Sequence, residues 1–152
     1  MKTKCNLDEI LLELDMIEFW EDGSKAMMCN GQIDGLHKFL PYKHIMSAVN
    51  EIVGAKAPKG GRAVGLMVNK LGPGVIVPIH TDNVPGKPNR YHLPLLTNPE
   101  SWWWDASLSS GERRYFELGV WVGPVPYWEK HQVGNEGMTE RIHLVVDVKC
   151  DT

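Results

Sequence analysis

Two hydrophobic periods divide the chain. Near the N-terminus Leu7, Ile10, Leu11, Leu14 and Ile17 recur at three- and four-residue steps, the stripe of an amphipathic helix. Asn6 suits its N-cap, Glu9 stands three residues on where a capping box places an acid, and Gly23 suits its end. A second helix is predicted over residues 42–53, with Pro41 at its start and Ile45, Val49 and Ile52 on one face. Residues 54–61 then read as loop. That loop has lysines and glycines but lacks the Gly-Lys-Ser/Thr ending of a phosphate loop, so no nucleotide site is assigned to it. From Arg62 onward the period shortens. Residues 63–68, 75–79, 91–96, 102–104, 115–122 and 141–148 are short β-rich runs, and Leu71-Gly72-Pro73-Gly74 is turn chemistry. Many short strands separated by Gly, Pro, Asn or Ser predict a sandwich or barrel. The expectation is one domain over 1–152, mostly β with N-terminal helices. A helical support region, 1–60, packs on a barrel or jelly-roll body over 62–149.

Composition narrows the function classes. The chain has 152 residues, 43% apolar and 23% charged, an ordinary balance for a globular domain. Its 16 Lys plus Arg against 19 Asp plus Glu give a net charge of −3, which disfavours a nucleic-acid partner. No apolar run approaches the ~18 residues of a membrane span. Acids at the start of the chain disfavour a signal peptide. Cys5, Cys29 and Cys150 are scattered and form neither a CxxC pair nor a disulfide framework. A reducing, cytoplasmic location is therefore expected. Nothing in the pattern specifies an oligomeric state.

The candidate chemistry lies in the β half. His37 and His44 have no polar company and read as surface or structural. His80 and Asp82 stand two apart in Pro78-Ile79-His80-Thr81-Asp82; on a strand they would share a face and present an imidazole beside a carboxylate. His131, about fifty residues later, is a candidate third ligand. Two histidines and one carboxylate on one face of a metal leave positions open for substrate and dioxygen, and iron(II) is the usual occupant; zinc is the rival. Arg141 follows in Arg-Ile-His-Leu-Val-Val-Asp. If its face points inward it must meet an anion, either a ligand or an internal acid such as Asp147. Arg90 and His92, again two apart, could grip a carboxylate through a planar fork and an added donor, or could lie on an exposed strand face.

Taken together, these residues resemble the iron(II)/2-oxoglutarate-dependent oxygenases, and more narrowly their aspartyl/asparaginyl β-hydroxylase-like branch. The matching motifs are Pro73-Gly74, Pro78-Ile79-His80, Arg90-Tyr91-His92-Leu93, and His131 followed ten residues on by Arg141. The resemblance spans residues 66–148. It implies a double-stranded β-helix (jelly roll, cupin-like) and an oxidoreductase that hydroxylates an amino-acid side chain, in a peptide, a protein or a free amino acid. It implies iron(II) as cofactor, with 2-oxoglutarate (2OG) and dioxygen as cosubstrates and succinate and carbon dioxide released. By position, His80 and His131 would ligate iron. Arg141 would bind the distal carboxylate of 2OG, helped by Asn69, while Arg90 and His92 would hold the carboxylate nearer the metal. The chain departs from the branch at Asp82, where aspartyl β-hydroxylases have glycine. A full His-Asp-His triad is therefore expected here, which puts aspartate as the substrate in question.

Trp102, Trp103 and Trp104 cannot all face inward along one strand. Trp104 and Trp128 are taken as candidates for the substrate pocket. Asn135 is assigned either a substrate contact or a turn. Two rival functions use the same barrel. A cupin-like non-oxidative metal enzyme would not need Arg141 or the Arg90/His92 clamp. A non-catalytic sensor of a small acid would not need the intact triad.

Overall fold

The computed structural model describes residues 1–17 and 31–151. Gly23 and Cys29 lie outside them. Among the described residues, two α-helices, a short 3-10 helix at Leu36–Lys38 and six strands occur: α1 Leu7–Asp15, β1 Gly31–Asp34, α2 Lys43–Lys56, β2 Gly61–Leu71, β3 Asn89–Leu96, β4 Ser101–Asp105, β5 His131–Asn135 and β6 Arg141–Cys150. The main sheet has the order β1-β2-β6-β3 and the second pairs β4 with β5; every pairing is antiparallel. Single bridges widen both. Ile76 and His80 lie against Gly134 and His131 beside β5, Arg114 lies against Trp103 on β4, and Val122 lies against His92 on β3. Two facing sheets with helices on one outer side form the expected jelly roll.

The alternation of β6 shows how the layers divide. Leu144, Val146 and Val148 join Leu66, Val68, Tyr91, Leu93 and Leu95 under the helices, where Ile10, Leu14, Ile45, Val49 and Ile52 cover them. The opposite faces of the same strands carry Asn69, Arg90, His92, Arg141 and Val145 toward the second sheet. Burial of the apolar face, worth roughly 25 cal/mol per Å², thus turns a polar row inward without spending any of those polar groups on the helix-side core.

Several elements differ from the sequence expectation. The region 1–60 is not wholly helical, because β1 pairs with β2 from Gly31↔Lys70 to Asp34↔Met67. α1 starts on the Asn6 cap, whose side chain accepts from Glu9 N, but ends at Asp15. α2 runs to Lys56, so the first residues of the expected 54–61 loop are helical. Residues 75–79 and 115–122 contribute bridges and no strand, since prolines and turns interrupt their ladders.

The start of α2 is capped from outside itself. Tyr42 supplies no side-chain cap. Instead Glu13 of α1 accepts from Ile45 N at 2.8 Å, from His44 N at 3.1 Å, and meets His44 Nδ1 at 3.0 Å. Burial pushes the Glu13 carboxyl up, but these hydrogen bonds and the nearby His44 hold it below the usual carboxylate range. A depressed folded value means that this contribution is complete above the unfolded carboxylate range and fades as pH falls through the folded value. Glu13→Gln is therefore expected to cost about 1 kcal/mol at pH 7, as for loss of an N-cap. The gap to the parent should close in acid. Urea unfolding at neutral and acid pH checks this, and a gap that persists in acid would mean that the cap does not depend on charge.

Candidate metal centre

The two sheets bring His80 and His131 together. His80 N donates to His131 O at 3.0 Å and His131 N donates to His80 O at 2.9 Å. The two residues are thus directly opposed across a bridge, with ring centroids 4.3 Å apart. His80 Nδ1 lies 2.7 Å from Pro78 O and His131 Nδ1 lies 2.9 Å from Glu129 O. Contact of each Nδ1 with a backbone carbonyl orients both rings so that both Nε2 atoms face Asp82, the arrangement that orients metal-binding histidines. Asp82 stands beyond the bridge, off any strand, with its backbone N on Tyr127 O at 2.9 Å. Its Oδ1 is 3.5 Å from His80 Nε2 and its Oδ2 is 3.6 Å from His131 Nε2. One ligand atom from each of the three lies within 4.8 Å of the others.

The surroundings hold this cluster. Trp103 stacks on the His131 ring, 4.9 Å between centroids and 9° from parallel. Its indole Nε1 donates to buried Asp105 at 2.7 Å. Burial raises the Asp82 carboxyl, but the contact with His131, the Arg90 guanidinium and the two imidazoles hold it below the usual range. Asp82 is thus an anion facing both imidazole Nε2 atoms. That donor set fits a divalent metal of intermediate hardness.

From this cluster a cavity of about 380 Å³ runs between the sheets. His80, Asp82, His131, Arg90, His92, Asn69 and Arg141 all line it. Arg141 is buried on the inward face of β6, and Leu71, its register partner, is adjacent to the β2 segment that carries Asn69. Asn69 Oδ1 is buried with no hydrogen-bond partner, and such an orphaned acceptor in a cavity wall suits a bound polar ligand. His92 and His143 meet at 3.2 Å between Nδ1 atoms. Burial first, and then the Arg141 charge, push both well below the usual imidazole range. Both are neutral, and one donates to the other.

The structure corrects three site expectations, for Arg90, Trp104 and Trp128, and decides between the two for Asn135 in favour of the turn. Arg90 already meets internal carboxylates: its Nε and Nη2 donate to Asp147 at 2.7 and 2.9 Å and its Nη1 donates to Asp82 Oδ2 at 2.8 Å. Burial works against its charge, but Asp147 more than offsets this, so Arg90 stays cationic. Trp104 does not line the cavity, because it faces the other side of β4 and donates to Ser109 O. Trp128 is about half exposed and also lies outside the lining. Asn135 is fully buried and knots a turn, donating to Leu71 O, Gly72 O and Thr139 O. Sequence reasoning missed Asp147 as the partner of Arg90, and Trp103 and Tyr127 as cavity walls. Period two from Arg141 through His143 and Val145 reaches Asp147, so its inward direction was there to be read.

Comparison with known proteins agrees with this picture. A family model described as aspartyl/asparaginyl beta-hydroxylase matches residues 42–150. The viral collagen prolyl hydroxylase of Paramecium bursaria Chlorella virus-1, solved as a 2OG complex, aligns with a TM-score of 0.58 at 13% identity. The alignment covers 100% of this chain and 94% of that one. A truncated form of the same enzyme gives a TM-score of 0.56 at 14% identity, covering 100% and 88%. At such identities these are likenesses of fold. No curated protein matches the chain significantly. The family match spans β2 through β6 and every cavity residue named above, and on that ground the chain belongs to the aspartyl/asparaginyl β-hydroxylase family.

Proposed function

We propose that this hydroxylase depends on iron(II) and 2OG and acts on an amino-acid side chain, in a peptide or protein. One observation carries the reading. Three ligand atoms within 4.8 Å of one another open on the same cavity as a buried arginine. His80, Asp82 and His131 would hold the metal through two Nε2 atoms and a carboxylate. Arg141 would receive the distal carboxylate of 2OG, and Asn69 on the neighbouring strand lines the same end of the cavity. His92, neutral and buried, supplies a polar wall nearer the metal. Trp103 and Val133 supply apolar wall to the cavity between the sheets. Iron(II), 2OG and dioxygen together supply oxygen insertion into a C–H bond, with release of succinate and carbon dioxide; the protein orients and shields.

Anaerobic titration tests this. Adding iron(II) and 2OG together should produce a visible metal-to-ligand absorption band that neither gives alone. Admitting air should release succinate. Absence of both the band and succinate with every peptide tried would return the chain to a non-oxidative or sensing role on the same barrel. The inward placement of Arg141 speaks against the non-oxidative alternative, which has no use for a buried cation on the cavity wall.

A further inference from the structure

Asp147 lies on the inward face of β6, directly opposite Arg90 of β3 in register. Both side chains are buried. Asp147 takes two of the guanidinium's edges, Nε and Nη2, in a side-on pair at 2.7 and 2.9 Å. The planar fork is rigid, so fixing two edges fixes the third. That third edge, Nη1, makes the shortest contact of the Asp82 carboxylate, 2.8 Å against 3.5 and 3.6 Å to the imidazoles. Asp82 needs such a hold, because it stands two residues past the last bridge on a segment without a ladder. Tyr127 completes the clamp: its ring lies under the guanidinium at 4.5 Å and its hydroxyl donates to Pro88 O.

The opposing strand leaves room for this arrangement. The β2–β6 register shifts between Ala63 and Gly65, and Gly65 is the partner of Asp147. A Cβ on Gly65 would lie 2.9 Å from Asp147 Oδ2 and 3.3 Å from its Cβ. Any side chain there would displace the carboxylate that orients Arg90.

We propose that Asp147 is a positioning residue of the metal site, acting through Arg90 to hold the Asp82 carboxylate against His80 and His131. This rests on Asp82 being a ligand, as proposed above. The network differs from a general negative field in one respect: its effect on metal binding must pass through Asp82.

A double-mutant cycle separates the two. Cobalt(II) affinity is measured by calorimetry, with the cobalt(II) visible spectrum as a second readout, for the parent, Asp147→Asn, Asp82→Ala and the double variant. An amide can accept from only one edge of the fork, so Asp147→Asn loosens Arg90 while preserving shape. Loss of an outer-shell partner typically weakens metal binding ~10–100-fold. Asp147→Asn should therefore weaken cobalt(II) about tenfold or more and shift its spectrum, yet change affinity less than about twofold once Asp82 is alanine. Equal weakening in both backgrounds, or none in the parent, overturns the proposal. Unchanged cobalt(II) affinity in Asp82→Ala alone identifies a failure of the ligand assignment instead. Gly65→Ala moves the carboxylate without altering charge and takes the place of Asp147→Asn if that variant does not fold. The same dependence on Asp82 is expected, and its absence overturns the proposal.

Discussion

Arg141→Ala is expected to raise the 2OG concentration needed for half-saturation by a factor of hundreds while metal affinity stays near that of the parent. Arg141 is 4% exposed and lines the cavity from the first position of β6. A carboxylate bound there would be paired in a setting where water screens little. Removing one partner of a buried pair costs about 3–5 kcal/mol, and about 1.4 kcal/mol is a factor of ten. Arg141→Lys should restore part of the affinity, since an ammonium lacks the planar fork. Calorimetry of 2OG in the presence of manganese(II), which supports binding without turnover, reads the effect directly. Unchanged 2OG affinity in Arg141→Ala would remove this residue from the site.

Asp82→Ala is expected to lower iron(II) affinity more than tenfold, about 1.4 kcal/mol or greater, and to abolish substrate-coupled succinate formation. His80→Ala and His131→Ala should do at least as much. The carboxylate partly neutralises the metal's charge, which imidazoles cannot, and the structure sets it 3.5 and 3.6 Å from the two Nε2 atoms. The competing arrangement has two histidines as the only protein ligands, with Asp82 serving Arg90 alone. Asp82→Gly separates them, because glycine is what aspartyl β-hydroxylases carry at this position. Near-parental iron affinity and turnover in Asp82→Gly would remove Asp82 from the ligand set and leave the two histidines in it.

The sequence and the fold divide the explanation of this site unevenly. His80, Asp82 and His131 were legible as a group because ligand chemistry restricts the residue types and a distant histidine is the usual third member. A shared strand face predicts their proximity, but Asp82 is on no strand. It reaches the imidazoles because Tyr127 O holds its backbone and Arg90 holds its carboxylate. Arg90 illustrates the converse. Alternation gives it a shared face with His92 but not which way that face points. Nor does alternation give its counter-ion, since Asp147 lies 57 residues on and no local pattern announces the pairing.

Local pattern alone determined the amphipathic stripe of α1 with its Asn6 cap, the apolar face of α2, and the alternation that splits β6 into a helix-covered side and an inward side. Each follows from side-chain period and from the cost of leaving apolar surface in water. Tertiary structure decided the rest. It ended α1 at Asp15, capped α2 with Glu13 from another helix, drew β1 into the main sheet, and reduced residues 75–79 and 115–122 to bridges. It also turned Trp103 inward and Trp104 outward. The physical reason is the same throughout: periodicity sets which face of an element is apolar, but which partner satisfies a buried charge or a free backbone group depends on chain segments far away in sequence.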